Sequence, residues 1–181
     1  MDLVWICKCC GKQYESLSFA YALDLPDPWL AIPEHERPLR STLTTDRCII
    51  DRTQFCIRGR VEIPVTDFDQ TYIWGIWASV SREHYDRIAT LWNTEVREHE
   101  PPIPATLCSD ISIYPSTTGL ACTLHLRNAG RRPSIKLAPA NHPLAIEQRS
   151  GITLERVQQI AAAMQRHRHY DPVVFTVRPP G

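Results

Sequence analysis

Two neighbouring stretches in the middle of the chain decide the fold. Residues 55–65 read FCIRGRVEIPV, and residues 72–80 read YIWGIWASV. In the first stretch apolar side chains alternate with polar ones such as Arg58 and Arg60, which predicts a strand with one buried face. The second stretch is apolar on both faces, which indicates a central strand that is covered on both sides. We expect a bulge at Gly59 in the first strand.

Further strands and helices are predicted on both sides of this pair. Ser81 is a suitable N-cap for a helix, Pro143 a suitable first residue for a short helix, and Thr153 a suitable N-cap for the last helix. The Pro-rich segment before the sheet leaves room for one or two helical turns at residues 19–23. Short strands are expected at residues 48–50, 103–113, 120–127, 134–137 and 173–177.

These elements predict one α+β domain, a mainly antiparallel sheet with packed helices and a small N-terminal cysteine knuckle. The expected domain covers residues 1–170, followed by a C-terminal tail at 171–181. Within it we expect a zinc-ribbon-like knuckle at 1–14, a Pro-rich wrapping segment at 15–46, and the sheet and helices at 47–167.

Composition and charge narrow the classes of function. The chain has 181 residues, 43% of them apolar and 22% charged, which is typical of a globular protein. Its formal net charge is zero, which argues against a nucleic-acid partner. It contains no apolar run of membrane-spanning length, and its seven cysteines are an odd number. Its first residues lack the basic and apolar regions of a signal peptide, so we expect none. We therefore expect a cytoplasmic protein with reduced thiols.

Several ordered stretches carry a family resemblance. They are CKCCG at 7–11, DRCIID at 46–51, RGRVEIPV at 58–65, WGIW at 74–77, Tyr-Pro at 114–115, and the run from Arg132-Pro133 through HPLAIEQ at 142–148 to Gly151-Ile-Thr153. With these stretches the chain resembles the bacterial domain of unknown function 2199 family along nearly its whole length, although residues 104–109 depart from the pattern. The resemblance implies no established activity.

The knuckle is a candidate metal site. Cys7 and Cys10 have the spacing that lets two thiolates bind one zinc ion, and Gly11 relieves the turn that follows. A structural zinc ion needs four ligands, so Cys9, Cys48 or His142 would have to complete the site. The alternatives are a knuckle that holds no metal and a redox-active dithiol.

His142 and Glu147 are weak candidates for catalysis. They lie in a short polar segment, residues 141–149, where His142 would act as a ligand or a base with Glu147 nearby. The alternative is that both side chains anchor loops through hydrogen bonds.

Arginines are candidates for an anion-binding patch. Arg58 and Arg60 share one face of a predicted strand, and Arg131 and Arg132 follow later, close to Arg127 and Lys136. They would form one patch if their strands are neighbours. The alternative is a solvated sheet face whose charges form cross-strand ion pairs.

The sequence contains no Gly-rich phosphate loop, nucleophile elbow or His-Glu-x-x-His motif. The leading hypothesis is therefore a non-enzymatic binding or interaction module, with zinc as a structural ion and a protein or a small anionic ligand as its partner. A second hypothesis is an enzyme that uses His142 and Glu147, and a third is an immunity-like antitoxin. No membrane partner is expected.

Overall fold

The structure is a computed structural model that describes residues 3–8 and 10–170, with side chains as far as residue 165. Its strands are β1 (Trp5–Ile6), β2 (Gln13–Tyr14), β3 (Ala20–Ala22), β4 (Ser41–Leu43), β5 (Arg47–Ile50), β6 (Gln54–Pro64), β7 (Thr71–Val80), β8 (Ile103–Leu107), β9 (Ala121–His125) and β10 (Ser134–Leu137). Its helices are α1 (Asp27–Leu30), α2 (Arg37–Arg40), α3 (Arg82–Thr90), α4 (Pro143–Ser150) and α5 (Leu154–Tyr170), with a 3₁₀ turn at Glu34–Glu36.

Strands β6 to β10 close into a five-stranded barrel. Each strand pairs in antiparallel fashion with the next, and β10 then returns to pair with β6. The first and last strands of a meander with an odd number of strands run in the same direction. The closing pair, in which Ser134 lies opposite Arg60, is therefore parallel, and the barrel is mixed.

Three further strands extend the barrel wall. β3 runs parallel to the first half of β7, while β5 pairs with the first half of β6 and β4 pairs with β5. β6 has 11 residues and β7 has 10, so each strand is long enough to pair both with its neighbours in the barrel and with one of the additional strands. β1 and β2 form a separate hairpin.

The expected α+β class, a mainly antiparallel sheet with helices packed on it, is therefore wrong. The structure is mostly sheet, closed on itself. Closure depends on Gly59, because a Cβ atom there would lie 2.7 Å from Ile135 Cγ1 and 3.0 Å from the Pro133 carbonyl oxygen. The missing side chain lets β10 approach β6, a contact between distant residues that alternation within one strand does not reveal.

Most elements predicted from local pattern are confirmed. Ser81 caps α3 by accepting a hydrogen bond from the His84 amide at 3.2 Å, and Pro143 is the first residue of α4. Thr153 Oγ1 accepts from the Arg156 amide at 3.2 Å at the start of α5. The two-sided burial predicted for residues 72–80 is confirmed by Trp74 and Trp77, whose side chains are both fully buried.

Three local predictions are wrong. The strand expected at residues 103–113 is shorter than predicted, since β8 ends at Leu107 and residues 108–113 take no part in its ladder with β9. Residues 19–23 contain strand β3 instead of helical turns, because pairing with β7 supplies backbone partners that a short isolated turn lacks. The bulge at Gly59 is also absent from the β6–β7 ladder, whose register runs without a break from Phe55 opposite Val80 to Pro64 opposite Thr71. The strand expected at residues 173–177 lies outside the described residues. Among the described helices, none has the length and apolar character needed to cross a membrane.

Candidate functional site

A row of residues across three neighbouring strands forms the base of the candidate site. Arg60 of β6 lies opposite Gly75 of β7, and Gly75 lies opposite Ala22 of β3. Paired residues in a sheet project from the same face. The guanidinium of Arg60 therefore stands beside two residues that have almost no side chain, and space remains above them.

A polar loop from β9 to β10 closes one side of this space. The Arg60 amide donates to the Pro133 carbonyl oxygen at 2.9 Å, which ties the end of the loop to β6. Arg127, Arg131 and Arg132 lie in the loop. Together these segments enclose a cleft of about 660 Å³. Six arginines line it: Arg58, Arg60, Arg97, Arg127, Arg131 and Arg132.

Three carboxylates pair with the arginines of the cleft. Arg58 Nη2 lies 2.7 Å from Asp24 Oδ1, Arg127 Nη1 lies 2.8 Å from Glu62 Oε1, and Arg132 Nε lies 2.5 Å from Asp46 Oδ1. Arg60 Nε is 3.6 Å from the same Glu62 oxygen that Arg127 holds. Within the described residues, six guanidinium groups thus face three carboxylates.

Arg97 has a structural part in the cleft. Its side chain donates to four backbone carbonyl oxygens, those of Leu91, Trp92, Arg127 and Arg131, at 2.6 to 3.3 Å. The residue is only 3% exposed, and this burial lowers the pKa of its guanidinium. Arg97 fastens the arginine loop to the segment after α3 and adds a positive charge that has no carboxylate partner in the described part of the chain.

Arg58 retains an unused donor at the cleft. The residue is 5% exposed, and its guanidinium lies 5.9 Å from the centre of the Trp77 ring. Its Nη1 donates to the Thr45 carbonyl oxygen at 3.4 Å and its Nη2 to Asp24. Its Nε is buried and has no hydrogen-bond partner among the described residues. A buried donor without a partner is costly, so Arg58 is held at the cleft with part of its hydrogen-bonding capacity unused.

Electrostatics around Arg60 indicate an excess of positive charge. Partial burial lowers the pKa of Arg60, and the charges of Arg127, Arg132 and Arg131 lower it further, against the opposite effect of Glu62. Since nearby cations destabilise the charged guanidinium, an anion bound between them would relieve their repulsion.

The cysteine knuckle lies in the turn between β1 and β2. The Cys7 amide donates to the Lys12 carbonyl oxygen at 2.9 Å, and the Gly11 amide donates to the Cys7 carbonyl oxygen at 2.8 Å. Gly11 has a φ of 71°, which confirms the tight turn expected after the cysteines. Cys7 is buried and Cys10 is exposed, and Cys9 lies outside the described residues.

The further zinc ligands considered from the sequence lie in other elements. Cys48 sits in β5 opposite Cys56, and His142 is the N-cap of α4. In the described ranges, no group of three or more His, Cys, Asp or Glu side chains is arranged to hold a metal ion. The described residues thus offer Cys7 and Cys10 alone at the knuckle, and zinc binding there stays a prediction.

Both weak catalytic candidates bind other protein groups. Glu147 accepts from the Tyr114 hydroxyl at 2.5 Å and from Arg156 Nε at 2.8 Å. His142 Nδ1 accepts from the Leu144 amide at 3.2 Å, and its Nε2 lies 3.2 Å from the Pro115 carbonyl oxygen. Neither His142 nor Glu147 lines the arginine cleft.

The structure brings the four predicted arginines, Arg58, Arg60, Arg131 and Arg132, into one cleft. Sequence reasoning did not find Arg97, which lies in an irregular polar segment without periodicity. It also missed the carboxylates Asp24 and Asp46, whose pairing with arginines depends on contacts between distant parts of the chain. Lys136, which the sequence placed near the arginines, is not among the residues that line the cleft.

Fold and site together define a small closed β-barrel with an arginine-lined cleft beside its longest hairpin. The chain belongs to the family DUF2199, described as "Uncharacterized protein conserved in bacteria", whose model matches residues 6–152. This match confirms the resemblance noted in the sequence, and it spans all the residues that line the cleft. No curated protein and no solved structure gives a match to the chain.

Proposed function

We propose that this protein is a non-enzymatic binding module that holds a small anionic ligand in the arginine cleft. One observation carries the proposal. Six arginines line the cleft, and three carboxylates pair with them in the described part of the chain. The surplus positive charge is costly in a partly buried site unless an anion is bound there.

The chemistry of the side chains favours an oxyanion. Guanidinium groups donate in a planar fork that matches carboxylate and phosphate oxygens, and such charge-assisted hydrogen bonds are about twice as strong as neutral ones. The cleft volume of about 660 Å³ lies within the range typical of small-molecule sites. Size and charge together support a small ligand over a protein partner.

Calorimetric titration with inorganic pyrophosphate tests the proposal. We expect the unmodified protein to bind pyrophosphate and Arg60→Gln to bind it about tenfold more weakly or worse, since a hydrogen bond to a charged group contributes about 1.5–3 kcal/mol. Arg131→Gln should weaken binding too, because Arg131 is exposed at the cleft and has no carboxylate partner in the described residues.

Arg149→Gln is the matched control, because Arg149 is an exposed arginine that does not line the cleft. Its affinity for pyrophosphate should equal that of the unmodified protein. Equal affinity of all four proteins, or no binding by any of them, would contradict the proposed function. Raising the salt concentration should weaken genuine binding, because it screens the guanidinium charges.

The zinc hypothesis needs a separate measurement. If Cys7 and Cys10 share a structural zinc ion, mass spectrometry of the untagged protein should find about one zinc per chain, and a chelator should lower the melting temperature. Protein that contains no zinc and has all its thiols free would exclude the structural ion. The knuckle would then be a turn whose cysteines merely have ligand-like spacing.

A further inference from the structure

The arginine cleft has two unlike walls. Guanidinium groups line one side, whereas Ala20, Ala22, Ile73 and Gly75 line the other. The pairing of β3 with β7 places Ala20 opposite Ile73 and Ala22 opposite Gly75, so these four residues form one patch of a single sheet face. We call this patch the apolar floor. A site for an inorganic anion alone has no use for such a surface.

Three of the four floor residues, Ala20, Ala22 and Gly75, are small, and Ile73 is the one large side chain at the edge of the floor. At Gly75 an added Cβ would lie 2.9 Å from the Ala22 Cβ, so the two strands pack too closely for a larger residue at this position. Tyr21, between the two alanines, is buried against Trp74, with ring centres 5.9 Å apart. The aromatic residue therefore points away from the floor, and small side chains on a pleated sheet leave a shallow surface on which a planar ring can lie.

The floor and the charged groups adjoin each other. Arg60 is the direct cross-strand neighbour of Gly75, so a guanidinium rises from the edge of the floor. Arg58, which lies two residues earlier on the same face, is 5% exposed and has a buried Nε without a partner among the described residues. A ligand lying on the floor would thus place its end beside the cations Arg58 and Arg60.

We propose that the ligand is a phosphate monoester of a planar aromatic compound, with its ring on the apolar floor and its phosphate at Arg58, Arg60 and Arg131. This inference rests on the proposed function and names the class of ligand. A phosphate monoester carries close to two negative charges at neutral pH, which suits a cleft with more arginines than carboxylates. The planar ring accounts for the floor, and arginine forks bind the phosphate oxygens in bidentate fashion.

Calorimetric titration with phenyl phosphate, methyl phosphate and inorganic phosphate tests the proposal. Phenyl phosphate should bind at least about tenfold more tightly than the other two, because its ring leaves water for the apolar floor. Ala22→Val should remove this preference, because its extra methyl groups stand where the ring would lie, and the readout is the ratio of the affinities for phenyl phosphate and inorganic phosphate measured on the same variant. Ala20→Val is a second variant at the same floor, for use if Ala22→Val does not fold.

Each outcome decides between the two proposals. Equal affinity for all three compounds would overturn the aromatic ligand and leave anion binding intact. An unchanged preference for phenyl phosphate in both floor variants would likewise overturn the placement of the ring. If none of the three compounds binds, and pyrophosphate does not bind either, the proposed function itself fails and this inference fails with it.

Discussion

Two buried arginines, Arg58 and Arg97, differ in how the protein satisfies them. Arg97 donates to four backbone carbonyl oxygens and holds the arginine loop in place. Arg58 pairs with Asp24 and keeps its Nε unbonded within the described residues. Leaving a buried donor without a partner costs about 1–3 kcal/mol. Arg97 is accordingly a structural residue, whereas Arg58 lines the cleft with part of its hydrogen-bonding capacity unused.

Asp110 organises the turn that follows β8, and its charge makes the turn sensitive to pH. Its Oδ1 accepts from the amides of Thr117 and Thr118 at 2.8 and 2.9 Å and from Ser116 Oγ at 2.9 Å. These hydrogen bonds, that of Thr118 foremost, hold the pKa of Asp110 below its ordinary value of 3.8. A lowered pKa in the folded state means that the charged carboxylate stabilises the fold above this value.

We expect Asp110→Asn to lower the free energy of unfolding by about 1 kcal/mol at neutral pH, a modest figure because solvent screens this exposed group. The difference from the unmodified protein should shrink as pH falls below 3.8 and the native carboxylate takes up its proton. Urea unfolding at a series of pH values measures this. Asp69→Asn, at an exposed aspartate, is the control and should have little effect. A difference that stays constant down to low pH would contradict the argument.

At the scale of elements, the hairpin of β6 and β7 is the pair of long strands with which β3, β5, β8 and β10 form hydrogen-bonded pairs. Its two strands stay in register over their full length while each changes partner along the way. β6 pairs with β5 at its start and with β10 farther along, and β7 pairs first with β3 and later with β8. A glycine stands near each exchange, Gly59 in β6 and Gly75 in β7, where another strand packs closely.

Gly59→Ala should destabilise the barrel by about 1–3 kcal/mol, because its new methyl group overlaps Ile135 and crowds the Pro133 carbonyl oxygen. In an Ile135→Ala background the same change should cost less, since the overlapping side chain is gone. Urea unfolding of the two single variants and the double variant measures this coupling.

Ile88→Ala is the matched background for this cycle. Ile88 is fully buried like Ile135, but it lies on α3 and is not among the nearest neighbours of Gly59. The effect of Gly59→Ala should be unchanged there. If its cost were also unchanged beside Ile135→Ala, the overlap would not be what requires glycine at this position.

At the scale of the whole molecule, folding buries most of the cysteine thiols. Cys48 and Cys56 lie opposite each other on neighbouring strands and are both fully buried. Burial, with a smaller contribution from Cys56, raises the pKa of Cys48 to about 12, and burial alone raises the pKa of Cys122 to about 12. A hydrogen bond to Cys56, together with burial, raises the pKa of Cys108 well above its ordinary range. The thiols of Cys48, Cys108 and Cys122 are therefore poor nucleophiles while the protein is folded.

We expect a thiol reagent at neutral pH to label Cys10 quickly, because Cys10 is exposed. Cys48, Cys56, Cys108 and Cys122 should react only at the rate at which the whole molecule unfolds. Peptide mass spectrometry after timed labelling measures each site, and protein unfolded in urea provides the reference for full reaction. Fast labelling of Cys48 in folded protein would show that the sheet opens locally at β5.

Local pattern was a good guide to single elements and a poor guide to their assembly. The N-cap at Ser81 and the proline at the start of α4 are properties of a few consecutive residues, and the structure confirms them. The single buried face predicted for β6 holds only in its second half, because Cys56 and Arg58, on the opposite face of its first half, are also buried. Strand β3 was missed because it is stabilised by pairing with β7, about 50 residues away in the chain. Arg97 was missed for the same reason, since two of the four carbonyl groups that it binds, those of Arg127 and Arg131, lie 30 and 34 residues away in the chain.

The sequence by itself determined the long strands β6 and β7, the helices α3, α4 and α5, the two-sided burial of β7, the family and the set of arginines that an anion site would need. Periodicity and capping depend on residues that are neighbours in the chain, so both can be predicted from the sequence alone. Only the tertiary structure decided that the sheet closes on itself and that the arginines meet in one cleft over an apolar floor. Both outcomes depend on strand pairings between residues far apart in the chain, and such pairings follow from the packing of the whole molecule.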